Sequence, residues 1–153
     1  IVSGAVQCWG SNASGQIGDG TTQRRTTPVT ATGLESGAAG VATLSGQTAH
    51  SCAVMTTGAA RCWGANAWGQ VGDGSLITQT VSVSVVGLDS GVAALSGGQF
   101  HTCALMTDGA VKCWGGNSRG QLGNGYFGAP ATPQNVGNTL TPRIYLPNFG
   151  RGQ

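Results

Sequence analysis

The tripeptide Cys-Trp-Gly is written three times, at Cys8-Trp9-Gly10, Cys62-Trp63-Gly64 and Cys113-Trp114-Gly115. Each copy opens a longer string of fixed spacing. Asn12, Gly15, Gln16, Gly18, Asp19 and Gly20 follow the first copy, and Asn66, Gly69, Gln70, Gly72, Asp73 and Gly74 hold the same offsets after the second. Asn117, Gly120, Gln121, Gly123, Asn124 and Gly125 repeat them after the third. The cysteines step by 54 and then 51 residues, and self-similarity at a fixed period of this size marks a repeat architecture. The chain is thereby confined to folds made of one supersecondary unit laid beside its copies. A repeat also filters candidate residues. A residue type found at one offset in every unit is most simply explained by folding, which every unit must do.

Glycine makes up 28 of 153 residues and only 8% are charged, while Val, Thr and Ser crowd the intervals between glycines. That is the profile of short strands joined by tight turns, not of helices. In the unit from Cys62 to Met106 four extended segments can be read. Val111–Trp114 and its equivalents form one, and Val81–Val86, alternating apolar and polar, a second. Gly91–Ser96 and His101–Met106 are the third and fourth. The glycine-dense string after each Trp reads as a compact turn. Thr107-Asp108-Gly109-Ala110 predicts a hairpin leading from the fourth segment into the next Cys-Trp-Gly strand. Four-stranded antiparallel units at this period describe propeller blades. A solenoid is the competing architecture, and the lack of helical periodicity counts against it. The fold class expected is all-β, with about three four-stranded units.

The combined pattern, Cys-Trp-Gly-x-Asn-x-x-Gly-Gln-hydrophobic-Gly-Asp/Asn-Gly, then Gly-Leu, Leu-Ser-Gly-Gly and His-x-Cys-Ala-Leu-Met-x-Asp-Gly, closely resembles the RCC1-type repeat, in the form found in bacterial secreted proteins. The resemblance covers residues 1–137, with units starting near 6, 60 and 111. It implies a seven-bladed propeller of four-stranded blades. It leaves function open, because the family spans nucleotide exchange on a small GTPase, chromatin association, ultraviolet sensing and secreted inhibition of β-lactamase. Three units fall short of the four to eight that close a ring. Ile1–Cys8 aligns with Met55–Cys62, so the chain starts inside a unit, without an initiator Met or a signal peptide. Further blades are expected upstream or from other chains. Residues 138–153 leave the pattern as an extended tail broken by Pro142 and Pro147. Its Ile144, Tyr145, Leu146 and Phe149 are expected to contact another copy or another part of a longer chain.

Under the repeat filter, Trp9, Trp63 and Trp114 are expected to pack between blades, and Gln16, Gln70 and Gln121 to serve the fold. Asp19 and Asp73 are replaced by Asn124 in the third unit, which suits a turn cap and not a catalytic carboxylate. Asn12-Ala13-Ser14 matches a glycosylation sequon, but Asn recurs there in every unit and reads as a turn residue. Cys52 and Cys62, and Cys103 and Cys113, stand ten residues apart across a predicted hairpin. Cross-strand disulfides are expected in an oxidising compartment, with Cys8 unpaired. Five buried free thiols are the alternative. His50 with Cys52, and His101 with Cys103, supply too few ligands at the wrong spacing for zinc. No catalytic residue, metal or cofactor is assigned.

What varies between units is where a ligand would bind. Ser14, Trp68 and Arg119 share one offset; Arg24-Arg25, Leu76-Ile77 and Tyr126-Phe127 fall in another variable stretch; Ala49 and Phe100 precede the histidines. Aromatics and Arg dominate interface hot spots, so Trp68, Phe100, Arg119, Tyr126, Phe127, Arg24 and Arg25 are the binding candidates. A net charge of +2 is too small to imply a nucleic-acid surface, and no apolar stretch is long enough for a membrane span. The reading is a non-enzymatic extracellular or cell-surface module that binds a protein partner or copies of itself. An inhibitor presenting variable loops to an enzyme and an exchange factor for a small GTPase are the alternatives.

Overall fold

The structure is a computed structural model that describes residues 4–44 and 50–137. The tail expectations for residues 138–153 and the Ala49 offset lie outside these residues. Ten strands are present and no helix occurs among the described residues: β1 Gln7–Gly10, β2 Arg25–Thr30, β3 Ala38–Leu44, β4 His50–Met55, β5 Ala60–Gly64, β6 Gln79–Ser84, β7 Val92–Gly97, β8 His101–Met106, β9 Val111–Gly115 and β10 Gln134–Asn135. They form a two-stranded sheet (β1-β2) and two four-stranded antiparallel sheets, β3-β4-β5-β6 and β10-β9-β8-β7. The sheets are blades of a partial propeller.

All four extended segments of the written unit are strands, but they fall in two sheets. The His-x-Cys strand and the Cys-Trp-Gly strand after it are neighbours in one blade, paired with Cys52 opposite Cys62 and Cys103 opposite Cys113. The blade boundary lies instead at Val85–Gly91, between β6 and β7. Written unit and blade are therefore out of phase by half a repeat. Residues 7–30 supply only the two strands that correspond to β5 and β6.

The hairpin at Asp108-Gly109 has a three-residue loop. The Gly109 N–H donates to Met106 O at 3.0 Å and the Met106 N–H to Ala110 O at 2.8 Å. Gly109, at φ +87°, occupies the left-handed position that closes such loops. Both pairs of cysteines are bonded, at Sγ–Sγ 2.12 Å and 2.02 Å, and Cys8 is a free thiol.

Sheets in a propeller are covered on both faces, and this changes what alternation means. In β6, Val81 and Val83 are half-buried, whereas the intervening Ser82 is buried. Its hydroxyl donates to Thr32 O of the preceding unit at 2.8 Å. β4 is buried along four consecutive residues. Two apolar clusters hold the blades together. Val6, Ala31, Leu34 and Ala53 surround Trp63; Val71, Val85, Leu88, Val92 and Ala104 surround Trp114, with Cys52 and Cys62 in the same cluster.

One expectation is overturned. Trp63 and Trp114 are 0% exposed, but Trp9 is 63% exposed. Trp63 and Trp114 are buried against the blade before them, whose apolar cluster and glycine-rich turn cover each indole. No such turn faces Trp9 among the described residues.

Candidate functional site

The turn after each Trp is organised by one Asn side chain. Asn66 Nδ2 donates to Asp73 Oδ1, Ser75 O and Ile77 O at 3.0–3.1 Å, and its Oδ1 accepts the Val71 N–H at 2.9 Å. Asn12 makes the same bonds to its own turn, and Asn117 repeats those to Asn124 Oδ1, Tyr126 O and the Leu122 N–H. Asn12 is buried with its amide occupied, which supports the turn reading of the sequon. The Gln side chain stiffens the start of the turn. Gln16, Gln70 and Gln121 each accept, at 2.9 Å, the N–H two residues earlier.

The backbone carbonyl of that Gln is the centre of each blade junction, a role the sequence reading did not identify. Gln16 O accepts the Trp63 indole N–H at 2.8 Å and the Ser51 hydroxyl at 2.9 Å. Gln70 O accepts the Trp114 indole at 2.9 Å and the Thr102 hydroxyl at 2.8 Å. Thr102 Oγ1 spends its one proton there, so the 2.7 Å contact with His50 Nε2 must be donated by the imidazole. His50 is a structural tie between blades. The recurrence of Ser or Thr directly after each His was the available signal. Two residues past Gln16 and past Gln70 a glycine lies under the indole. A Cβ at Gly18 would stand 2.7 Å from Trp63 Nε1, and one at Gly72 would stand 2.5 Å from Trp114 Nε1.

The variable positions project from this frame. Trp68 and Phe100, from adjacent blades, meet with ring centroids 5.7 Å apart and planes tilted by 57°, an edge-inclined geometry favourable for aromatic pairs. Tyr126 and Phe127 are each 75% exposed. Leu76 occupies the position of Phe127 one unit earlier, and it and Ile77 are also exposed. These two were noted in the sequence as variable but not chosen. Arg119 and Arg24 are exposed. Arg25 is engaged in its own turn, with Nε 2.6 Å from Asp19 Oδ2 and a bond to Thr21. Burial pushes the Asp19 carboxyl up, but the Thr21 and Arg25 hydrogen bonds and the Arg25 charge outweigh it, so its pKa lies below the usual range. Burial lowers the pKa of His101 and raises that of Cys8. No group of three or more His, Cys, Asp or Glu suited to a metal ion occurs among the described residues.

Two sequence models described as the regulator of chromosome condensation (RCC1) repeat match residues 3–54 and 92–121, together more than half of the chain. The probable E3 ubiquitin-protein ligase HERC6 of Homo sapiens is 35% identical over 130 residues, 83% of this chain and 12% of that protein. The ultraviolet-B receptor UVR8 of Arabidopsis thaliana is 33% identical over 124 residues, 80% of this chain and 28% of the receptor. Among solved structures, Prp20p of Saccharomyces cerevisiae superposes with a TM-score of 0.76 at 18% identity, over 90% of this chain and 35% of Prp20p. The chain thus spans roughly a tenth to a third of these proteins. The repeated Cys-Trp-Gly strands, the Asn-centred turns, the partial propeller and the sequence matches place this chain in the RCC1 repeat family.

Proposed function

We propose that this chain is a non-enzymatic module that binds a protein partner through the variable side chains of its post-Trp turns. The observation that carries the reading is the joining of Trp68 to Phe100 across a blade junction, with Tyr126 and Phe127 exposed on the turn of the next blade. Aromatic groups are costly to leave in water and dominate binding energy when covered. They stand only at offsets that differ between units, so the fold does not require them. Arg119 shares the Trp68 offset and adds a charged, planar donor set. Prp20p, whose structure was reported with its binding to Gsp1p and histones, gives precedent for protein binding by this fold.

We place the module outside the cell or at its surface. Two cross-strand disulfides support that, since such bonds persist in oxidising compartments. The same bonds disfavour the exchange-factor alternative, which would act in a reducing compartment. An inhibitor that lays the same turns on a target enzyme is the second reading.

Replacing Trp68, Phe100, Tyr126 and Phe127 together by Ala tests the proposal. The variant should keep the near-ultraviolet dichroism of its buried Trp63 and Trp114 and lose the partner that cross-links to wild type in the source's own extracellular fraction. Equal capture by both proteins would overturn it.

A further inference from the structure

Two glycines end the third Cys-Trp-Gly strand, and the repeat accounts for only one of them. Gly115 recurs as Gly10 and Gly64, and all three are left-handed, at φ between +97° and +101°, where glycine is favoured. Gly116 takes the offset of Ser11 and Ala65. Its backbone is not left-handed and so admits a side chain, and Ala65 stands buried at the same offset one unit earlier. Neither the strand nor the turn after it asks for glycine at this position.

Phe100 does. A Cβ at Gly116 would stand 2.9 Å from Phe100 Cβ and 3.2 Å from Phe100 O, inside the separation of about 3.5 Å at which carbon atoms ordinarily meet. Phe100 is poorly placed to give way. Its carbonyl accepts the Gly116 N–H at 2.6 Å, and the Gly98 N–H donates to His101 O at 3.0 Å, closing the loop between β7 and β8 around it. From this seat its ring meets Trp68 of the preceding blade. The second unit carries Ala49 at the offset of Phe100 and Ala65 at that of Gly116, so the two positions change together. Trp68, Phe100 and Gly116 lie at the junction of the two four-stranded blades, with a full blade on either side.

We propose that Gly116 is the positioning residue of the Trp68–Phe100 contact. By lacking a side chain it lets Phe100 settle onto the end of β9 and reach the Trp of the neighbouring blade. A methyl group there displaces Phe100 by about 0.6 Å or more and opens the contact. The consequence for binding rests on the aromatic-turn reading above: two rings already joined lose less freedom when a partner covers them than two separate ones. The geometry itself does not depend on that reading.

Nuclear magnetic resonance of the indole N–H groups in the full chain tests it, with the Trp68 signal assigned through Trp68→Phe. Phe100→Ala should move that signal by removing the ring current beside it, and Gly116→Ala should move it in the same direction. Retained Trp63 and Trp114 signals certify the fold. Urea unfolding completes a double-mutant cycle. Gly116→Ala should lower the folding equilibrium constant about tenfold when Phe100 is present, and about twofold or less when residue 100 is Ala, the pairing that the second unit already has. Cross-linking in the source's extracellular fraction separates the two readings. Gly116→Ala should capture less partner than wild type; if it captures as much while the Trp68 signal has moved, the binding reading falls and the positioning of Phe100 stands. A Trp68 signal that Gly116→Ala or Phe100→Ala leaves in place, or an equal loss of stability in both backgrounds, would overturn the proposal.

Discussion

Trp63 and Trp9 occupy the same offset in successive units, yet one is fully buried and the other 63% exposed. Truncating both is a controlled experiment on what the neighbouring blade contributes. Trp63→Ala removes a buried indole from the cluster of Val6, Ala31, Leu34 and Ala53, a change that costs about 3–5 kcal/mol. It also removes the bond to Gln16 O, worth about 1 kcal/mol. That carbonyl keeps the Ser51 hydroxyl, so no buried acceptor is stranded and no further penalty arises. The expected loss is about 4–6 kcal/mol, which lowers the melting temperature by on the order of 10–20 °C. Trp9→Ala should stay within about 0.5 kcal/mol. Urea unfolding measures both. If Trp63→Ala leaves too little native protein, Trp63→Phe should still cost about 1–2 kcal/mol through the lost indole N–H and the smaller ring. Equal costs at the two positions would refute the argument that burial is conferred by the preceding turn.

Two further outcomes are expected. Replacing Cys103 and Cys113 by Ser should cost about 2–3 kcal/mol, the loop-entropy value for a closure of this length, and non-reducing mass spectrometry of the wild type should find two intramolecular bonds and one free thiol at Cys8. Asp19→Asn should cost no more than about 1 kcal/mol, the scale of an ion pair with a partly exposed Arg25, since Asn124 already serves that offset. Because the folded pKa of Asp19 is lowered, its contribution is present above the unfolded value of about 3.9 and lost as pH falls through the folded value. Acid unfolding curves of wild type and variant should therefore converge only below about pH 4.

Much of the fold was legible because the repeat states its constraints three times. Cys52 and Cys62 declare their pairing by standing ten residues apart across a turn, and the same spacing recurs at Cys103 and Cys113. Asn12, Asn66 and Asn117 declare a turn role by recurring where a glycan or catalytic role would not. The phase of the blade was not legible. Nothing local distinguishes a hairpin within a sheet from a connection between sheets, and only packing shows that Val85–Gly91 is the boundary. The alternation in Val81-Ser82-Val83 misleads for a related reason, since both faces of β6 meet protein and Ser82 is buried by a neighbour's carbonyl.

The same distinction explains why the candidate sites were only partly readable. A repeated residue reveals what its own unit needs, but its burial is decided by the next unit, fifty residues away in sequence. That is why the rule assigning every Trp to a junction succeeded for Trp63 and Trp114 and failed for Trp9. It is also why Trp68 and Phe100, chosen separately as variable aromatics, turned out to form a single contact. Conversely, Arg25 looked variable and free, yet the acidic cap six residues earlier holds it. Variation between units marks a position as unneeded by the fold only when its own turn does not claim it. Trp68, Phe100, Arg119, Tyr126 and Phe127 are among the positions that pass both conditions.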